Sequence, residues 1–316
     1  MKDSRENRSV EDGGGPRGRW AQLHLRLDTL RRHHGFRKAP MRTLWRLGWW
    51  RLCCWLRVGA EIKLPRWNAR FFLPPRWGGE GTTMIFALRE RYEKELEHLD
   101  RFVSAGDVVV DAGANCGIYT VAAGKLAGKA GGVLAFEPGD RVAEVLARNI
   151  EVNGLENVRV FRQALSDRSG TARLYRHRGP VASSIAAEDG CGGDYDEIET
   201  ITLDAALAEA GVDRVDFLKI DIEGAEELAF RGGEEMFRKS RPVVVFEMNA
   251  SAAARFQLAA NGAWEHLERL GYGFFEMDDA GGLALLDAPP PEDRQEFLNI
   301  VAIHAEDQPR FLRPQA

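Results

Sequence analysis

The sequence predicts an α/β fold: a doubly wound, mostly parallel sheet of seven strands, preceded by a basic, tryptophan-rich extension. Three observations lead there. From about residue 80 onward, short β-branched runs alternate with stretches of helical periodicity, the pattern of a parallel sheet covered on both faces. Within that region, Asp107 to Val121 reads as one strand–glycine loop–helix unit. Charge is also unevenly spread. Residues 1–79 hold 18 Lys/Arg against 6 Asp/Glu and seven of the eight tryptophans, although the 316-residue chain carries a net charge of only −5. The expected organisation is therefore an extension over 1–79, a catalytic domain over 80–305 and a short tail over 306–316.

The first ~18 residues, polar and interrupted by Gly13-Gly14-Gly15-Pro16, read as disordered and lack the apolar centre of a signal peptide, so a cytoplasmic chain is expected. Cys53, Cys54, Cys116 and Cys191 show no metal-ligand spacing and read as free thiols. Residues 42–58 form a Trp/Leu/Arg segment that Arg46, Arg51 and Arg57 break too often for a membrane span. Three uses stay open for it. It can pack an aromatic face on the catalytic domain or on a twin subunit of a homo-oligomer. It can lie in the interface at the inner face of a membrane, or it can bind nucleic acid.

The elements follow in order. Leu88 to Phe102 reads as a helix, Val108 to Val110 as the first strand and Ile118 onward as a helix start. Gly132 to Phe136 is the second strand. Residues 140–153 are helical and stop at Gly154, a usual C-terminal cap. Val158 to Phe161 is the third strand, and Thr171 to Tyr175 an additional one. Residues 177–196, glycine-rich and poor in large apolar groups, read as a mobile loop. A helix at 203–210 precedes the strand Val215 to Ile220. Pro242 to Glu247, Tyr272 to Met277 and Leu298 to His304 complete the sheet, with a helix at Trp264 to Leu270.

Two constellations carry chemistry. In the first, the strand Val108–Val110 runs into Asp111, then Gly113 and Gly117, residues suited to bringing a ligand against bare backbone N–H groups. The next strand ends in Glu137, where an acid in such a unit grips a ribose diol. The ligand is thus expected to be an adenosine derivative. The loop reads D-x-G-x-N-x-G and lacks the G-x-G of a pyrophosphate site. An acid before the first glycine suits a cationic ligand such as S-adenosylmethionine better than a dinucleotide. The plain alternative is an ordinary strand–turn–helix. In the second constellation, alternation over 219–223 puts Lys219, Asp221 and Glu223 on one side, toward the crevice at the strand ends. Asp221 is a candidate general base. Alternatively, Asp221 and Glu223 hold a divalent cation, or Glu223 to Glu226 only caps the next helix while Lys219 and Glu223 pair on the surface.

These residues resemble the FkbM-type S-adenosylmethionine-dependent methyltransferases. Val109 to Thr120 looks like the family's cofactor motif, and Phe136-Glu137-Pro138, Ala164-Leu165-Ser166-Asp167, Thr202-Leu203-Asp204 and Lys219 to Glu226 look like its further motifs. Tyr92-Glu93 sits where the family has such a pair. Cys116 departs from the small or aliphatic residue more usual there. The resemblance implies a Rossmann-like methyltransferase fold and O-methylation of a hydroxyl on a sugar, glycolipid or polyketide-like acceptor. It implies cofactor contacts from Asp111, Gly113, Ala114, Asn115, Gly117, Tyr119, Thr120, Glu137, Pro138, Ala164 and Ser166, with Asp221, Glu223 and Lys219 as the catalytic set. Two readings stand for Ser183, Ser184 and the loop 177–196, closure over the acceptor or a plain solvent loop, and His177 is an alternative base. Two other readings stand beside this one: a non-catalytic membrane- or partner-binding scaffold on the same fold, and an NAD-dependent oxidoreductase.

Overall fold

In the computed structural model, residues 30–77, 81–175, 195–295 and 298–312 are described. The expectations for residues 1–18, for Cys191 and for His177, Ser183 and Ser184 fall outside them. Helices α1 (His34–Lys38) and α2 (Pro40–Trp55) lead to a hairpin of β1 (Ala60–Leu64) and β2 (Ala69–Leu73), followed by α3 (Thr82–Leu88) and α4 (Lys94–Glu97). Then come β3 (Val108–Ala112), α5 (Ile118–Ala127), β4 (Gly132–Phe136), α6 (Asp140–Val152), β5 (Val158–Phe161), β6 (Ala164–Leu165), β7 (Gly170–Tyr175) and β8 (Tyr195–Ile201). The chain continues through α7 (Leu203–Ala210), β9 (Phe217–Ile220), α8 (Glu226–Arg231), α9 (Glu234–Ser240), β10 (Val243–Met248), α10 (Ala250–Arg255) and α11 (Gly262–Arg269). It ends with β11 (Tyr272–Met277), β12 (Leu283–Leu286), α12 (Glu292–Gln295), β13 (Leu298–His304) and α13 (Gln308–Phe311).

The main sheet runs in the order β12-β11-β13-β10-β9-β3-β4-β5. Its five strands from β10 to β5 are parallel, while β13, β11 and β12 each pair antiparallel with their neighbours. All seven expected strands are present. An eighth, β12, adds at the edge, because Gly281, at φ +84, turns the chain back after β11. Strand alternation sends Val109, Phe217 and Val243 into one core and Val110, Leu218 and Val244 into the other, so helices cover both faces. Chain order reverses beside β3, with β4 on one flank and β9 on the other. That is the switch point where open sheets of this kind hold ligands.

Two expectations change. Leu88 to Phe102 is not one helix. Arg89 adopts φ +62 and Glu93 is extended, so the segment breaks into two 3-10 turns around the short α4. The break follows from burial: Leu96 and Leu99 pack into the core while Glu93 turns toward the strand ends. The loop expected to end at 196 ends earlier, because Tyr195 and Asp196 already pair with β7 in the small sheet β6-β8-β7.

The segment 50–73 shares the core of the main sheet. Trp50, Ile62, Leu64, Phe71 and Leu73 lie in the same buried cluster as Val109, Val121 and Phe217. Side chains of α6 finish the open edge of β2. Asn149 accepts from Phe72 N (2.6 Å) and donates to Phe72 O, while Asn153 pairs in the same way with Arg70. The amide of Asn149 also donates to Cys116 O, which fastens the hairpin to the loop after β3.

Candidate active site

Most polar residues of the cleft come from strand ends and the loops after them, while Ile85 of α3, Tyr92, Glu93 and Tyr119 of α5 close it from the helical side. β3 supplies Asp111, and its loop supplies Gly113, Ala114, Asn115 and Cys116. β4 leads to Glu137 and Pro138, β6 brings Ala164, and β9 brings Lys219 with Asp221 and Glu223 just beyond it. Of the residues expected from sequence, these and Tyr119 line the cleft. Gly117, Thr120 and Ser166 stand behind it: Thr120 donates to Asp111 (2.5 Å), and Ser166 N bonds Ile201 O.

The two loop glycines are required by the protein's own packing. Gly113 has φ +76, and a Cβ there would lie 1.9 Å from the carbonyl oxygen of Asp221. At Gly117, φ +91, a Cβ would lie 2.4 Å from Leu146 Cδ1. The loop N–H groups are likewise engaged internally. Those of Gly113 and Ala114 donate to Phe136 O, that of Asn115 to Glu137 Oε2 (3.0 Å), that of Cys116 to Asn115 Oδ1 and that of Gly117 to Ala114 O. The expectation of bare N–H groups facing the ligand is thus corrected: this loop uses its donors to hold the β3 and β4 ends in register. Glu137 also accepts from Gly139 N (2.8 Å), which fixes its carboxylate at the end of β4 on the cleft wall.

Lys219 is the centre of the electrostatics. Its side chain is 3% exposed, and its ammonium bonds Asn299 Oδ1 (3.1 Å) and lies 3.8 Å from both Glu93 Oε2 and Asp221 Oδ2. It also sits over the ring of Tyr119. Glu93 accepts from the Tyr119 hydroxyl (2.6 Å) and from Asn299 Nδ2 (2.8 Å), and that amide also donates to Glu95. Burial opposes the charge of Lys219, but Glu93, Asp221, Glu247 and Glu95 override it and hold the ammonium above the usual lysine range. Burial pushes Asp111 up to about 6, with the Thr120 hydrogen bond and Lys219 opposing. It pushes Glu95 and Glu226 up to about 7, and raises Asp221 and Glu247 as well.

The expected site is thereby extended and partly revised. β9 ends at Ile220, and Glu223 reaches the cleft through a left-handed turn, φ +57, rather than by strand alternation. Glu226 is a loop anchor, accepting from Ile222 N and Gly224 N. Lys219 is no surface partner of Glu223. Glu93 joins the expected set, signalled beforehand only by the resemblance of the Tyr92-Glu93 pair. Glu95, Asn299 and Glu247 carried no signal, because each joins the cluster only through the tertiary fold.

Such a site has a definite appetite. Carboxylates crowd around one lysine, so the cleft favours a ligand bearing positive charge beside polar, diol-like groups, and it disfavours a pyrophosphate. A divalent ion between Asp221 and Glu223 fits less well, since the Lys219 ammonium already stands against Asp221. Among the described residues, no three His, Cys, Asp or Glu side chains converge as a metal-ligand set.

A doubly wound sheet with an acid-rimmed cleft at its switch point is the Rossmann-like arrangement. The chain belongs to the FkbM methyltransferase family, whose domain matches residues 111–274. Among relatives, it is 30% identical over 168 residues to the methyltransferase sdnD of Sordaria araneosa, covering 43% of this chain and 64% of that protein. It is 29% identical over 149 residues to the 2-O-methyltransferase NoeI of Sinorhizobium fredii, covering 42% of this chain and 60% of that one. The chain thus spans less than two thirds of both relatives. A solved FkbM methyltransferase from Methylobacillus flagellatus aligns over 71% of this chain and 54% of its own, at 13% identity and a TM-score of 0.41.

Proposed function

We propose that this protein is an S-adenosylmethionine-dependent O-methyltransferase acting on a hydroxyl of a sugar, glycolipid or polyketide-like acceptor. The observation that carries the reading is the cluster of Asp111, Asp221 and Glu93 around buried Lys219, directly beside Glu137 at the end of β4. The relative named as a 2-O-methyltransferase supports the choice of oxygen.

When bound, the cofactor supplies a methyl carbon on a positively charged sulfur. Glu137 would hold the ribose diol, Asp111 with the acid cluster would favour the cationic amino-acid end, and Ala164 and Pro138, which also line the cleft, would contact the adenosine. The acceptor hydroxyl must lose its proton as it attacks, and Asp221 takes that proton at a carboxylate oxygen. Its side chain is 39% exposed toward the cleft, and burial raises its basicity above that of a surface aspartate. Lys219 keeps its charge, holds Asp221 in place and favours its ionised, proton-accepting form before transfer. Glu223 lies on the same wall and assists in placing the acceptor. Alignment of the oxygen with the methyl carbon is the larger share of the catalysis.

The test is methyl transfer from methyl-labelled S-adenosylmethionine to a panel of hydroxylated glycans, glycolipids and polyketides, with Asp221→Asn beside wild type. The expected outcome is an O-methyl ether product, with kcat lowered about 10²-fold or more in Asp221→Asn and cofactor affinity kept within a few-fold. Transfer to nitrogen or carbon alone, or an unchanged kcat in the variant, would overturn the assignment.

A further inference from the structure

The helix α2 carries its apolar face outward. Helical spacing puts Met41, Trp45, Trp49, Leu52 and Leu56 on one stripe, with Leu44 and Trp55 beside it. Met41 is 78% exposed, Trp45 68% and Trp55 77%. The opposite face already has its partner: Trp50 is fully buried, stacks on Phe86 at 4.7 Å and donates to Thr83 Oγ1, and Arg46 donates to Ala87 O. The outward stripe is therefore not needed to hold the helix to the domain. So large a contiguous set of exposed apolar side chains marks a contact surface.

We infer that this face of α2 docks on an anionic lipid surface. Two features select that occupant. The stripe is rimmed by arginines, Arg42 along one margin and Arg51 along the other, the arrangement that sinks indole and leucine to headgroup depth while guanidinium groups meet phosphate. Residues 30–77 also hold twelve Lys/Arg and one acid, Glu61; Arg37, Lys38, Arg66 and Arg70 pair with acids, and the remaining cations still give the segment a positive charge drawn to anionic headgroups. A second copy of the chain would cover the stripe only by bringing two such basic segments together. A nucleic acid would need cations along the stripe, and there are none on its centre line. No described helix is long and apolar enough to cross a membrane, so the contact lies in the interface.

The same docking sets the position of the cleft. Ile85 of α3 lines it, and the neighbouring Phe86 carries Trp50, so a single short helix stands between α2 and the cleft. The proposal does not depend on which hydroxyl the cleft methylates.

Full-length protein mixed with vesicles of phosphatidylcholine alone, or with about a third phosphatidylglycerol, tests it by co-sedimentation and tryptophan emission. Expected are binding to the anionic vesicles with a blue-shifted emission, and much weaker binding to the neutral ones. The double substitution Trp45→Glu/Trp55→Glu, with an unchanged melting curve, is expected to weaken vesicle binding about tenfold or more. Arg42→Glu/Arg51→Glu is expected to erase the preference for anionic lipid. Three results would overturn the proposal: no association with either vesicle, wild-type binding by the tryptophan variant, or a variant that abolishes only a dimer or an oligonucleotide complex.

Discussion

Gly113 shows how tightly single atoms are constrained here. Its α-hydrogen occupies the place where a Cβ would overlap the Asp221 carbonyl, at a positive φ that L side chains rarely adopt. Gly113→Ala is expected to cost on the order of 3 kcal/mol, read as a lowered urea midpoint at constant slope. A cost below about 0.5 kcal/mol would show that β3 and β9 are not locked together as described. The buried acids make a second prediction at this scale. Asp111 near 6, and Glu95 and Glu226 near 7, all sit above their ordinary values because of burial. The folded state therefore keeps protons that the unfolded chain releases near pH 4. The stability these groups contribute is fully present below about pH 4 and is lost as pH rises through 6 to 7. His33, His34, His98 and His266, lowered by desolvation, act in the opposite sense up to about pH 6.5. The melting temperature of the cofactor-free protein is therefore expected to fall from about pH 6.5 to about pH 8, while affinity for cationic S-adenosylmethionine rises over that window. A melting temperature that climbs with pH across it would contradict the burial of these acids. Much of this scale was legible in the sequence, since Asp111, Glu137 and Asp221 stand at strand ends that hydrophobic runs announce. Glu95 and Glu247 were not, because nothing local distinguishes them from surface glutamates.

At the scale of elements, legibility follows periodicity. The strands β3, β4, β5, β10, β11 and β13 are short apolar runs bounded by turn residues, and each was readable. The segment 88–102 misled because its apolar spacing suits a helix, while the site needs Glu93 pointing toward the sheet. The positive φ of Arg89 and the extended Glu93 reconcile the two demands. The strand β12 was hidden because only its pairing with β11 defines it. The extension's attachment was equally invisible, since Asn149 and Asn153 read as ordinary helix residues before β2 is placed beside them. Trp50 is the element-scale test of that attachment. Trp50→Ala removes the stack on Phe86 and the bond to Thr83, and is expected to cost roughly 3–5 kcal/mol. Trp45→Ala, on the outward face of the same helix, is expected to cost less than about 0.5 kcal/mol. Equal losses would mean that α2 is oriented otherwise.

At the scale of the whole molecule, charge is divided by task. The basic extension and the acidic cleft meet across α3, one surface suited to anions and the other to a cation. That division was visible in the sequence as a charge asymmetry, but its geometry was not, because only the fold decides which tryptophans turn inward. On the proposed function, the cleft between β3, β4 and β9 binds S-adenosylmethionine through Glu137. Calorimetric titration of wild type and Glu137→Ala with S-adenosylmethionine, and separately with NADH, tests it most directly. The account predicts cofactor binding by wild type, a loss of about tenfold or more in affinity for Glu137→Ala, and no response to NADH. A folded wild-type protein that releases no heat with S-adenosylmethionine, or a variant that binds it equally well, would contradict the account.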